Sequence, residues 1–280
     1  MKNKQIAEIV RGQAARDGAG VNLTRVLHTG TLESFDPFLM LDSFDSTDPA
    51  DYLNGFPEHP HRGIETITYL AKGRIDHRDS LGNAGSIRDG DAQWMTAGSG
   101  ILHEEMPQKA ERMLGLQFWL NLPQKDKMTT PKYFDIHGEQ VPEVKEDGAL
   151  VRVIAGDYKG TQGAKPHHLQ ATFLELDLEA DSELSFPSDP EETSFVFLLE
   201  GDAIIEGEQI AEKAAVLLKD GDTVTVRSTD KPARLIYAQA PPLKEPIAWG
   251  GPIVMNTKEE INRAFMDLRN NTFIKDRPEA

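Results

Sequence analysis

Two stretches of the chain repeat each other weakly, and that repeat limits the fold more than any other feature. Leu70-Ala71-Lys72-Gly73 is followed by Arg88-Asp89-Gly90-Asp91, and Leu199-Glu200-Gly201-Asp202 is followed by Lys219-Asp220-Gly221-Asp222. The glycines lie 17 residues apart in the first copy and 20 in the second. Each copy reads as a strand, a turn, and a return that enters the next strand through a tight Asp-Gly turn. Ile64–Leu70, Leu150–Ile154, Ala171–Leu178, Ser194–Leu199, Thr223–Arg227 and Ala233–Ala238 are short runs rich in Val, Ile, Leu, Phe and Thr. No strand–helix alternation accompanies them, which argues against a doubly wound α/β sheet. The pattern predicts an all-β chain of two related β-barrels, residues 1–135 and 136–280, joined around Ile136–Gly148. One short helix is expected near the end. There Thr257 and Glu260 form a capping box ahead of an apolar stripe of Ile261, Ala264, Phe265 and Leu268.

Three of the eight histidines fall in two suggestive places. One is Phe56-Pro57-Glu58-His59-Pro60-His61-Arg62-Gly63-Ile64-Glu65; the other is Gly98-Ser99-Gly100-Ile101-Leu102-His103-Glu104-Glu105. In an extended chain, residues two apart share a face, so His59 pairs with His61 and His103 with Glu105. If these two strands lie side by side in one barrel, three imidazoles and a carboxylate converge on one point. With no cysteine in the chain, thiolate sites and disulfides are excluded. Imidazole with carboxylate suits Fe(II), Mn(II), Ni(II), Cu(II) or Zn(II), whereas calcium and magnesium prefer oxygen shells. Glu65 also faces inward by parity, unless a shift at Gly63 turns it aside. Glu104 should point away from the site. His77 either lines the cavity or serves the fold. His167 and His168 are adjacent and make a poor ligand pair, while His28 and His137 have no partners in sequence. Trp94, Met95, Phe118 and Trp119 read as barrel core that can also border the site.

The net charge of −16 opposes direct binding to nucleic acid or to anionic membranes. No stretch approaches the ~20 apolar residues that span a bilayer. The first twenty residues lack the apolar core of a secretory signal and carry Glu8 and Asp17, so a cytoplasmic location is expected.

The His-X-His motif, the glutamate four residues after its second histidine, and the downstream Gly-X-Gly-X-X-His resemble the two cupin motifs. The wording of Phe56–Thr66 and Gln93–Pro107 resembles the pirin family in particular. Phe35-Asp36-Pro37-Phe38, Leu41-Asp42 and Gly251–Thr257 are similar in style to the same family. The resemblance implies a bicupin with one iron site in its N-terminal barrel, and maps the ligands onto His59, His61, His103 and Glu105. It favours Glu105 over Glu65. It also implies an iron-dependent dioxygenase of the quercetin 2,3-dioxygenase type acting on a small flavonol-like aromatic, with Fe(II) or another divalent transition metal. Glu105 would stay bound or act as the catalytic base. The same resemblance allows a metal- or redox-sensing regulatory protein that binds a protein partner.

Counting back from Gly201 as His61 and His59 stand to Gly73 gives Asp189 and Pro187. Counting on from Gly221 as His103 and Glu105 stand to Gly90 gives Arg234 and Ile236. With no histidine at these offsets, the second barrel is expected to be metal-free. Three histidine ligands also predict that metal affinity falls below a pH of about 6.5, with more than one proton taken up per metal released.

Overall fold

The computed structural model describes residues 2–276. The chain is mostly strand, and it forms two units with the same strand topology. In the first, the large sheet runs Lys132–Ile136, Ala92–Thr96, Ile64–Lys72, Met113–Asn121, Phe38–Ser46, with Val21–Leu27 and Gln13–Asp17 beyond. Its smaller sheet runs Phe56–His61, Ile101–Pro107, Ile75–Asp79, Ala84–Ile87. In the second, the large sheet runs Gln5–Arg11, Ala214–Lys219, Thr193–Glu200, Ala233–Ala240, Thr172–Leu178, Ala149–Ala155, Glu143–Glu146. The matching small sheet is Glu183–Pro187, Thr223–Ser228, Ala203–Ile205, Glu208–Ile210. Two sheets of this kind, facing each other through side chains of alternate parity, make a cupin barrel, and the chain is a bicupin.

The barrels fill differently. The second has a continuous apolar interior that includes Val151, Leu174, Phe186, Val196, Leu198, Val216 and Leu235. In the first, one apolar cluster has Phe44, Leu70, Ile75, Ile87 and Met113 among its members. Buried polar groups (His61, Thr68, His103, Glu105, Gln117) occupy other positions of its strands. Burying such groups is costly unless each finds a partner, so they mark where this barrel departs from a packing role.

The repeat is real, but its second turn is matched out of register. Gly73 and Gly201 do end equivalent strands, both at positive φ. Gly90 precedes Ala92–Thr96, whereas Gly221 follows Ala214–Lys219, the equivalent strand of the other sheet. The two Asp-Gly turns therefore sit at opposite ends of matching strands. In the structural register, the counterpart of the His103 strand is Thr223–Ser228, not the strand that holds Arg234 and Ile236. Its pairing sets Thr225 opposite Ser185 and Thr223 opposite Pro187, so no imidazole faces another there.

The unit boundaries differ from a cut at residue 135 at both ends of the chain. Gln5–Arg11 pairs with Ala214–Lys219, which groups the N-terminal strand with the second barrel. Residues from Leu243 onward group with the first barrel. Two buried cations account for the latter. Arg62 donates to Ser99 O, to Asp267 Oδ2 in the C-terminal helix, and to Phe273 O, and it lies 4.2 Å from the Phe273 ring centroid. The Lys127 Nζ donates to Gly63 O at 2.8 Å, to Val254 O at 2.9 Å and to Asn121 Oδ1. Burial pulls the Lys127 pKa down to about 7, against the pull of Glu245 and Glu260. An ammonium has the three N–H donors that these three acceptors take, whereas a neutral amine has two.

The helix itself spans Lys258–Arg269, and its capping box forms as expected: Glu260 N donates to Thr257 Oγ1 and Thr257 N to Glu260 Oε2. Ala264, Ile261 and Leu268 pack against Ile253, Met255 and Phe273, while Phe265 is more exposed than an inward stripe requires. No helix among the described residues is long and apolar enough to cross a membrane. Lys127→Met should leave three oxygens without their donor and cost about 3 kcal/mol. Amide exchange in Ile253–Met255 should rise before the rest of the barrel opens, as followed by hydrogen exchange.

Candidate metal centre

The small sheet of the first barrel aligns the histidines. Strand Ile101–Pro107 alternates buried and half-buried residues, with Ile101, His103, Glu105 and Pro107 on the buried face. It lies antiparallel between Phe56–His61 and Ile75–Asp79. On one side His103 stands opposite His59, and on the other Glu105 stands opposite His77. One ring nitrogen from each of His59, His61 and His103 lies within 4.8 Å of the others. The ring centroids are 4.8, 4.4 and 5.0 Å apart.

Burial favours the neutral form of two of the imidazoles, His61 and His103. Burial, reinforced by His59, lowers the pKa of His61 to about 3 against the favourable carbonyl of Pro252. Burial and the neighbouring His61, His59 and His77 hold His103 well below 6.5. His61 Nδ1–H donates to Pro252 O at 3.0 Å and His59 Nδ1–H to Pro57 O at 2.8 Å. A carbonyl only accepts, so each Nδ1 carries the proton and each Nε2 presents its lone pair. Neither ring nitrogen of His103 has a hydrogen-bond partner among the described residues. A fully buried imidazole left unpaired is costly, and a bound cation would engage the lone pair of one of its nitrogens. The donor set thus fits a divalent transition metal.

Glu105 shares the buried face with His103 but lies outside the histidine cluster. Its oxygens accept from Thr68 Oγ1 at 3.0 Å and Gln117 Nε2 at 2.7 Å, which fix the carboxylate and leave lone pairs free. Glu65 faces the other way. Thr68 and Glu65 are three apart in one strand and therefore on opposite faces. Glu65 instead accepts from Thr96 Oγ1 at 2.7 Å, the residue paired with it across the sheet. Burial raises its pKa to about 7, against hydrogen bonds from Thr96 and Trp94. Glu104, the outward neighbour, accepts from Arg78 at 2.7 Å.

His77 is both structural and adjacent to the site. Its ring stacks on Tyr133 at 4.5 Å and 17°, lies 3.6 Å from Asp79 Oδ2 through Nε2, and is 5.3 Å from the His103 ring. Trp94, Met95 and Phe118 are fully buried core, whereas Trp119 borders the site in edge contact with His61 at 4.9 Å. His28 serves a local cap, accepting from Gly30 N. Sequence reading missed Thr68 and Gln117, although Gln117, set between Leu116 and Phe118 in an otherwise largely apolar strand, was a visible signal. It also missed Pro252 and Trp249, which come from the far end of the chain and carry no local signal.

A two-barrel cupin with a histidine cluster in its first barrel is the class that this fold and site define. Residues 20–120 match the family model described as Pirin, and residues 173–274 match the Pirin C-terminal cupin domain. The chain is 40% identical over 277 residues to a pirin-like protein of Caulobacter vibrioides, covering 98% of this chain and 100% of that one. It superposes with a TM-score of 0.88 on the crystal structure of a quercetin 2,3-dioxygenase from Acinetobacter baumannii, at 31% identity and covering 97% and 98% of the two chains. A bacterial pirin from Escherichia coli, solved in complex with nickel(II), matches with a TM-score of 0.65 at 20% identity, covering 84% and 99%. The chain belongs to the pirin family.

The pKa directions correct the expected pH dependence of metal binding. With His61 at about 3 and His103 well below its ordinary value, protons compete far less near pH 6.5 than three free histidines would allow. Metal titrations at several pH values should show fewer protons taken up per metal released than three histidines would give. Glu65 supplies a second test. A carboxyl raised from 4.5 to about 7 contributes stability that is fully present below pH 4.5 and lost as pH rises through 7. Urea denaturation should therefore find Glu65→Gln gaining on the parent by roughly 3 kcal/mol between pH 5 and 8.

Proposed function

We propose that the protein is an iron-dependent dioxygenase of the quercetin 2,3-dioxygenase type, acting on a flavonol-like aromatic. The observation that carries the reading is the triad of half-buried His59 with buried His61 and His103, both His103 nitrogens being without a partner among the described residues, in a chain similar to a quercetin 2,3-dioxygenase. The ligand set is His59, His61 and His103, joined by Glu105. When bound, Fe(II) supplies Lewis acidity toward a substrate oxygen and a redox partner for dioxygen.

The rest of the chemistry belongs to the side chains. His59 and His61 are pre-oriented by backbone carbonyls, so little reorganisation accompanies binding. Glu105, aimed by Thr68 and Gln117, takes the proton of the flavonol 3-hydroxyl and leaves an oxygen anion at the site.

Anaerobic loading with Fe(II), followed by oxygen uptake on a panel of flavonols and catechols, tests this. Turnover of quercetin is expected, with Glu105→Gln lowering kcat by about 10²–10⁴-fold and Glu65→Gln within a few-fold of the parent. His103→Ala should fail to retain metal by elemental analysis. Full metal content in that variant would remove the triad from the site, and loading without turnover on any panel member would remove the dioxygenase reading.

A further inference from the structure

Trp119 combines three properties that packing alone does not explain. It lies two residues after Gln117 in strand Met113–Asn121, so it shares the face from which Gln117 reaches Glu105. Its ring meets His61 edge-on, with centroids 4.9 Å apart at 81°. Its Nε1 is buried and has no hydrogen-bond acceptor among the described residues.

The neighbouring indole makes the contrast. Trp249 stacks on Trp119 at 5.8 Å and 27°, and its own Nε1 donates to Gly251 O at 2.7 Å. The backing ring is therefore satisfied and anchored, while the ring beside the histidines is not. An indole N–H can only donate. Left unpaired and buried, it is destabilising. The fixed polar groups nearby are directed elsewhere: Glu105 accepts from Thr68 and Gln117, His61 Nδ1–H donates to Pro252 O, and neither residue accepts from the indole. An oxygen of a bound ligand would supply the missing acceptor.

We propose that the Trp119 indole N–H reads an anionic oxygen of the bound substrate beside His61, with Trp249 holding the indole in place. This rests on the flavonol reading above, in which Glu105 creates such an oxygen. Trp119 thus selects substrates that carry an ionisable hydroxyl at the reacting position. A flavone without that hydroxyl leaves the donor unpaired.

The test is binding rather than turnover. Zinc-loaded protein is titrated with quercetin and with luteolin, which has the same skeleton without the 3-hydroxyl, and affinity is followed by absorbance and tryptophan fluorescence. Trp119→Phe keeps an aromatic ring and deletes the donor. It should weaken quercetin by about 10–100-fold, as a hydrogen bond to a charged oxygen implies, and luteolin by less than about 3-fold. Should Trp119→Phe unfold or lose zinc, 3-benzothienylalanine at the same position keeps the bicyclic shape and deletes only the N–H. Equal losses for both flavonoids, or no loss for either, would overturn the proposal. If the parent binds neither, the flavonol reading fails on its own. The donor is then judged with azide as a small anion on cobalt-substituted protein: weaker azide binding in the variant sustains a donor to anions at this position, and unchanged binding overturns it.

Discussion

Antiparallel pairing of Phe56–His61 with Ile101–Pro107 is the constraint from which the site follows. With His103 opposite His59, directly facing side chains stand about 4.5–5.5 Å apart at Cβ, and the alternation along each strand adds His61 and Glu105 to the same face. A slip of one residue in either strand would turn its members outward. The register is held by what flanks it: Arg62 and Gly63 directly after His61 are tied to Ser99 O and Gly98 O, and Ser99 itself lies in the turn that leads into the His103 strand. The motif and its fastening are therefore one object.

That fastening draws on the far end of the chain. Arg62 and Lys127 are cations with almost no solvent exposure, and each reaches backbone oxygens of the C-terminal segment. A buried charge is tolerated only when its donors are met, and here the carbonyls of Phe273 and Val254 meet them. The same segment delivers Pro252 O to His61 and Trp249 to Trp119. Residues some 190 positions away in sequence thus set the tautomer of one histidine and back the aromatic wall beside it.

The two barrels share one topology and differ in the polarity of matching positions. At the place of Gln117 in the first barrel, the second has Tyr237, opposite Val196 rather than Thr68. Tyr237 is directed to Ser188 and Gln239, and the interior below it is filled by aliphatic and aromatic side chains. Where the first barrel keeps buried imidazoles without partners among the described residues, the second places Tyr237 in hydrogen bonds with Ser188 and Gln239. The capacity for metal chemistry sits where such partners are missing.

Much of this was legible residue by residue. Period-two runs bounded by Gly, Asp and Pro revealed an all-β chain, the repeat revealed two barrels, and the spacing of His59, His61, His103 and Glu105 revealed one inward face. These are local signals, because alternation and turn chemistry act between near neighbours. The parity of Glu65 was ambiguous, since a turn at Gly63 separates its strand from that of His61, and parity does not propagate through such a turn. The false match of Gly90 with Gly221 has a similar origin: an Asp-Gly turn looks alike at either end of a strand. Thr68, Gln117, Pro252, Trp119 and Trp249 became a site only through pairing and docking across long sequence distances. The lowered pKa values of His61 and His103 arose from burial, a property of the packed interior and not of any residue alone. Local patterning chose the elements and the face, while long-range packing chose which polar groups stayed unpaired on it.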